Sequence, residues 1–170
     1  MNLLKKFISI FFIFILFTSS SNSIEKTAFI NIDYIIKNSI IGKKTLSKIN
    51  EFNQKNINEL KKKEKILKDL EEEIKNKKKI VSIEAYNKEV VLYKKKIQNF
   101  NNEKNISVNE FNKFKDDEFE KIFNQISPII SDYMKQNSIS ILFDSKNIIM
   151  GNVSSDLTEK ILNEINNNIK

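Results

Sequence analysis

The chain has 170 residues, of which 29 are Lys, 30 Ile and 24 Asn, while Cys, His, Trp and Arg are absent. Disulfides, thiolate or imidazole metal ligands, Cys or His nucleophiles and Ser-His-Asp triads are therefore excluded by composition alone. Two Gly and one Pro offer little punctuation for a loop-rich fold, and the formal charge of +7 directs attention to acidic or anionic partners.

Lys5 and Lys6 precede a largely apolar run from Phe7 to Phe17, and Thr18-Ser19-Ser20-Ser21-Asn22-Ser23 follows. A positive start, a short apolar core and small residues at −3 and −1 define a secretory signal peptide over residues 1–23. Ser21 and Ser23 suit cleavage after Ser23, with a site after Ser21 as the alternative. A spanning helix needs about 20 apolar residues, so the run is short for a permanent anchor, which is the other reading. No Cys follows it, which rules out a lipoprotein. Export without any Cys suits a periplasm rather than a disulfide-built secreted module.

Residues 27–32 are apolar and β-branched and read as a strand, after which Asp33 can cap a brief helical turn. From Gly42 the period changes. Leu46, Ile49, Asn53, Asn56, Leu60, Lys63, Leu67, Leu70, Ile74, Lys77 and Val81 recur in steps of three and four, a coiled-coil stripe with several polar positions. The chain reverses at a tip near residues 79–83, where Ser82 is the expected N-cap. Tyr86, Val90, Tyr93, Ile97, Phe100 and Phe111 continue the stripe in the second helix. Phe119, Ile122, Ile126, Ile129 and Tyr133 resume it after a stutter. Pro128 predicts a kink or break near Ser127.

Ile139, Ile141 and Phe143 alternate on one face of a second strand, and Asn147-Ile148-Ile149-Met150 is expected to return as its partner. Asp156 and Glu159 have the spacing of a capping box that opens a last amphipathic helix. The predicted class is α+β, mostly α: a long antiparallel hairpin (44–136) on a small β body (24–43 and 137–170). Phe29, Ile30, Ile32, Ile139, Ile141, Phe143, Ile148 and Met150 supply that body's apolar surface. A sheet this small is marginal alone, so several chains are expected to pool their strands into one core.

The order of these parts resembles the Skp/OmpH family of periplasmic chaperones. The resemblance is carried by Ala28-Phe29-Ile30-Asn31-Ile32, by Asn38-Ser39 and Gly42-Lys43-Lys44, and by Asp156-Leu157-Thr158-Glu159-Lys160-Ile161-Leu162. It implies a homotrimer, a β-barrel body completed by three chains, and helical arms enclosing a cavity. It further implies ATP-independent holding of unfolded outer-membrane β-barrel proteins before their insertion. The absence of Arg means that no arginine-mediated lipopolysaccharide contact carries over from the family.

Charge is the most informative functional feature. Residues 61–96 hold thirteen Lys and seven acidic residues, a net +6. Lys61, Lys62, Lys63, Lys77, Lys78, Lys79, Lys94, Lys95 and Lys96 are candidate contacts to clients, to an anionic membrane surface or to lipopolysaccharide. The alternative is a solvated coiled-coil exterior in a Lys-rich chain. Phe114 lies off the main stripe and is the aromatic candidate for client contact.

Gly42-Lys43-Lys44 lacks the first Gly and the Ser or Thr of a phosphate loop, and Glu71-Glu72-Glu73 diverge around a helix instead of converging on an ion. No cofactor, metal, catalytic residue or nucleic-acid partner is expected. The competing reading is an exported coiled-coil scaffold or tether without client-holding activity.

Overall fold

A computed structural model describes residues 26–169; the predicted signal peptide lies outside the described residues. Strand β1 (Lys26–Ile30) leads into a short helix α1 (Ile32–Asn38). Helix α2 (Ile40–Lys77) and helix α3 (Ile83–Gln136) form the hairpin. Strand β2 (Ile139–Asp144) and helix α4 (Thr158–Asn168) complete the body. At 1.5 Å per residue α2 is about 57 Å long and α3 about 81 Å. The excess length of α3 is its root, which runs into the body.

β1 and β2 pair in parallel, from Thr27 opposite Ile141 to Ile30 opposite Asp144. Parallel neighbours need a long crossover, and here the entire arm is that crossover. The other edge of β1 is held by the C-terminal segment, where the Leu157 N–H donates to the Phe29 carbonyl at 2.9 Å. Asn31 N–H donates to Thr158 Oγ1 at 2.9 Å, and that hydroxyl donates to Asp156 Oδ1 at 2.6 Å. Both chain halves are thus tied to one strand.

The body core lies on one face of this two-stranded sheet. Ala28, Ile30, Ile35, Ile122, Ile126, Ile139, Leu157, Ile161, Leu162 and Ile165 are all buried there. A single chain therefore assembles a core by laying α1, the root of α3 and α4 against its sheet. What one chain leaves uncovered is the opposite face.

Several local expectations are corrected. Asn31, not Asp33, caps α1 by accepting the Tyr34 N–H, so Ile32 opens a helix instead of ending a strand. Asp33 pairs with Lys146. β2 does not keep one alternation throughout: Lys26 pairs with Ile139 but Thr27 with Ile141, so Ser140 is an extra residue. Such a bulge reverses the facing of everything after it. Ile139 and Leu142 consequently pack inward, while Ile141 and Phe143 are 42% and 45% exposed.

The expected third strand at 147–150 does not form. Asp144 accepts the Lys146 N–H and starts a 3₁₀ turn over Ser145–Asn147, which carries the chain off the sheet. Gly151 then passes over the Phe29 ring, where an added Cβ would stand 2.8 Å from the ring edge. At α4 the capping box is replaced by a turn in which Asp156 Oδ1 accepts the Thr158 N–H. Pro128 causes no break, since α3 continues to Gln136. Ile126, Ile129, Ile130 and Tyr133 around it pack on the core, and that burial outweighs the lost hydrogen bond.

The hairpin follows the predicted stripes closely. Ser39 caps α2 through the Gly42 N–H, and Ser82 caps α3 through the Ala85 N–H. Ile49 and Ile74 are buried in the seam, whereas Lys63 remains exposed and Asn56 Nδ2 is buried without a partner. The seam is continuous but thin.

Candidate functional site

The Lys-rich window occupies the outer part of the arm on both helices. Lys61, Lys62 and Lys63 lie on α2, Lys94, Lys95 and Lys96 on α3, with Lys77 ending α2 and Lys78 and Lys79 in the tip turn. Lys63 bridges the helices to Glu103 at 2.8 Å, and Lys77 bonds Glu73 at 2.7 Å and Glu89 at 3.3 Å. Those two are partly neutralised by the arm itself. The other seven make no ion pair among the described residues and leave an unbalanced positive surface.

Phe114 does not project freely. It stacks on Phe52 across the seam, with ring centroids 4.3 Å apart and planes inclined by 13°. The step of the stripe changes between Phe111 and Phe119, and this change rotates Phe114 toward α2. Its role as an open client contact is thereby corrected to interhelical packing.

Sequence reasoning missed the aliphatic residues that stand outside the seam. Ile66, Leu92 and Ile106 are each more than half exposed, and Ile80 and Ile83 at the tip are 82% and 81% exposed. Their signal was available: none belongs to either three-four stripe. Ile66, Leu67 and Phe100 meet Lys63, Lys96, Asn99 and Glu103 around an open notch of about 240 Å³.

The predicted body residues divide into two sets. Ile30 and Ile139 are buried and Ile32 packs beside them. Phe29 and Ile148 are half-buried, Ile141 and Phe143 lie on the uncovered face, and Met150 is 90% exposed. Phe29, Phe143, Ile148 and Met150 line a shallow cavity of about 400 Å³ on that side.

Ion pairs along the arm perturb both kinds of charged group. A hydrogen bond from Lys121 lowers the Glu118 pKa against its burial, helped by the charges of Lys121 and Lys48. Lys75 lowers Glu71, and Lys77 lowers Glu73. The same bonds raise Lys75, Lys77 and Lys121, and Glu103 raises Lys63. Carboxylates with lowered native pKa stabilise the fold above the ordinary Glu range and lose that contribution as pH falls through the native value. Lysines with raised pKa stabilise below the ordinary Lys range and lose it as pH rises through theirs.

With no His in the chain, arm stability is expected to be flat from about pH 6 to pH 9 and to fall below about pH 4. Thermal unfolding followed by circular dichroism checks this, and Glu118→Gln should make the acid limb shallower. A midpoint that moves steeply between those neutral limits contradicts the assignment.

No group of His, Cys, Asp and Glu suited to a metal is present among the described residues, and none of their helices is long and apolar enough to cross a membrane. Gly42 sits in the first turn of α2 with its N–H bonded to Ser39, so the Gly-Lys-Lys segment is a helix start and cradles nothing.

No curated protein sequence matches the chain. A crystal structure from Caulobacter crescentus CB15, named for an outer membrane chaperone role (OmpH-like), superposes with a TM-score of 0.77 at 14% identity. The match covers 86% of this chain and 87% of that one. At that identity the likeness speaks for the fold: a long hairpin rooted in a small mixed body. The model of the family described as outer membrane protein (OmpH-like) matches residues 26–165, from the first residue of β1 into α4, and the chain belongs to that family.

Proposed function

We propose that the protein is a non-enzymatic, ATP-independent holdase of the Gram-negative periplasm. It binds unfolded outer-membrane β-barrel proteins and prevents their aggregation before insertion. Residues 1–23 export it and are removed; residues 24–43 and 137–170 form an oligomerisation body, and residues 44–136 form the arm. Three copies join through the sheet face that one chain leaves bare and complete a barrel, so that three arms surround a cavity.

The observation that carries this reading is the outer arm, where exposed aliphatics and an open notch stand beside Lys without ion-pair partners among the described residues. An unfolded barrel strand offers apolar side chains and unpaired backbone edges that aggregate. A positive surface attracts acidic chains over long range, and weak contacts repeated on three arms add through effective concentration. Holding is then tight while each contact stays short-lived. Family membership supports the client class.

A second partner is favoured by the tip, where Ile80 and Ile83 stand exposed beside Lys78 and Lys79. Apolar residues flanked by lysines suit the interface of an anionic membrane or of lipopolysaccharide. Nucleic acid is not a partner in this compartment.

The test is light scattering of a urea-unfolded porin diluted into buffer with and without the purified protein lacking residues 1–23. Suppressed scattering at 50 mM NaCl, weaker suppression at 500 mM and no effect of ATP are expected. Unchanged scattering at both salt concentrations would leave only the scaffold reading.

A further inference from the structure

Leu92, Asn99 and Ile106 follow one another at intervals of seven residues, which places them on one line along α3. Asn99 lines the notch between the helices, together with Ile66 from α2 and with Leu67 and Phe100 from the seam. Ile66, Leu92 and Ile106 are 64%, 53% and 55% exposed. Single exposed aliphatics are ordinary on a protein surface. Three along one flank, centred on a notch, are not needed to hold two helices together.

The notch has a defined border. The Lys63–Glu103 bond at 2.8 Å ties α2 to α3 beside it. Lys96 also lines it and has no ion-pair partner among the described residues. The flank therefore presents apolar surface next to an uncompensated positive charge, at the end of the window 61–96 of net +6. Its complement is a segment with apolar and acidic side chains close together.

We propose that this flank is the client-holding surface of the arm, and that its occupant is an extended segment with alternating apolar and acidic residues. The proposal rests on the holdase reading and names the surface that performs it. Fourteen residue steps of helix, from Leu92 to Ile106, span about 21 Å. An extended chain repeats the same face about every 6.6 Å, so one strand-length segment of roughly seven residues covers Leu92, the notch and Ile106. A membrane-barrel strand of about 9–11 residues is long enough. The notch accepts one large apolar side chain, the flanking aliphatics contact its neighbours, and Lys96 meets an acidic residue beside them. No backbone register is imposed, so sequences of different barrels are held alike.

The test uses the chain lacking residues 1–23, with a urea-unfolded porin and a fluorescein-labelled peptide of alternating Leu and Asp as probes. The combined variant Ile66→Ser, Leu92→Ser and Ile106→Ser is expected to bind both about tenfold more weakly at 500 mM NaCl, a salt concentration at which charge is screened. Its circular dichroism melt should match that of the parent, since all three side chains are solvent-facing.

A photo-crosslinking residue at Asn99 should capture the porin. The same residue at Asn101, two positions on and so turned to the other side of α3, should not. If the parent protein fails to hold the porin, the holdase reading falls and this surface with it. If the parent holds it but the triple variant binds as tightly, or crosslinks come from Asn101 instead of Asn99, the flank assignment alone is overturned. The crosslinking arm decides the matter even if the triple variant unfolds.

Discussion

Gly42→Ala is expected to destabilise the chain by roughly 2–4 kcal/mol, although Ala is normally favoured over Gly within a helix by about 1 kcal/mol. The sign is reversed by contact with backbone. A Cβ at Gly42 would stand 1.8 Å from the Ile36 carbonyl oxygen, 2.6 Å from its carbon and 2.7 Å from Ser39 Oγ. The two nearest atoms are backbone and cannot swing aside, and the Ser39 hydroxyl is held in the α2 cap. Relief requires moving the end of α1, and α1 carries Ile35 into the core. It also disturbs Ser39, whose hydroxyl accepts the Gly42 N–H at 3.1 Å and caps α2.

Gly151 provides the internal comparison. A Cβ there meets only the edge of the Phe29 ring at 2.8 Å. That ring lies on the uncovered side of the sheet and can yield, so Gly151→Ala should cost on the order of 1 kcal/mol. Urea unfolding of the two variants measures the difference. A Gly42→Ala variant within 0.5 kcal/mol of the parent, by this same scale, would mean that the α1–α2 junction is not as tight as described.

The arm was legible because its information is periodic and local. Two stripes with three-four spacing, a Ser at the tip and a polar exterior specify a helical pair regardless of what surrounds them. Short elements were less legible, since tertiary contacts choose among near-equal local options. Residues 148–150 have strand composition but follow an Asp144 turn that steers them off the sheet. Ile141 and Phe143 alternate correctly, yet one extra residue at Ser140 turns them outward. Nothing in the composition of β2 announces that bulge. Ser138 similarly adopts φ 55° between α3 and β2 without a Gly to advertise it. At Pro128 a local penalty of about 3 kcal/mol lost to the burial of its neighbours. The candidate surface was half legible: the lysine runs and the i,i+4 pair of Lys77 with Glu73 are visible in sequence, but the pairs that Lys63 makes with Glu103 and Lys77 with Glu89 are decided by packing between helices.

Phe143→Asp is expected to turn the assembled protein into a monomer and to leave the single-chain core intact. The bulge at Ser140 places Phe143 on the sheet face opposite the core, 45% exposed and beside Phe29, Ile148 and Met150. Contiguous apolar surfaces of this kind suit association, and in the proposed trimer one carboxylate buried at the threefold contact would confront two copies of itself. Unpaired buried charge and like-charge repulsion together cost several kcal/mol per contact, enough to abolish assembly at micromolar concentration. Leu142 faces the other way, against the core. Leu142→Ala should therefore lower the stability of the monomer by about 2–4 kcal/mol and alter association only through that loss. Native mass spectrometry separates the two results. A parent that is monomeric at micromolar concentration, or a Phe143→Asp variant that remains trimeric, removes this face as the site of self-association. A monomeric Phe143→Asp variant also isolates what one arm can do. If holding depends on several arms acting together, the monomer should bind a short labelled peptide about as well as one arm of the trimer, yet release an unfolded porin far faster.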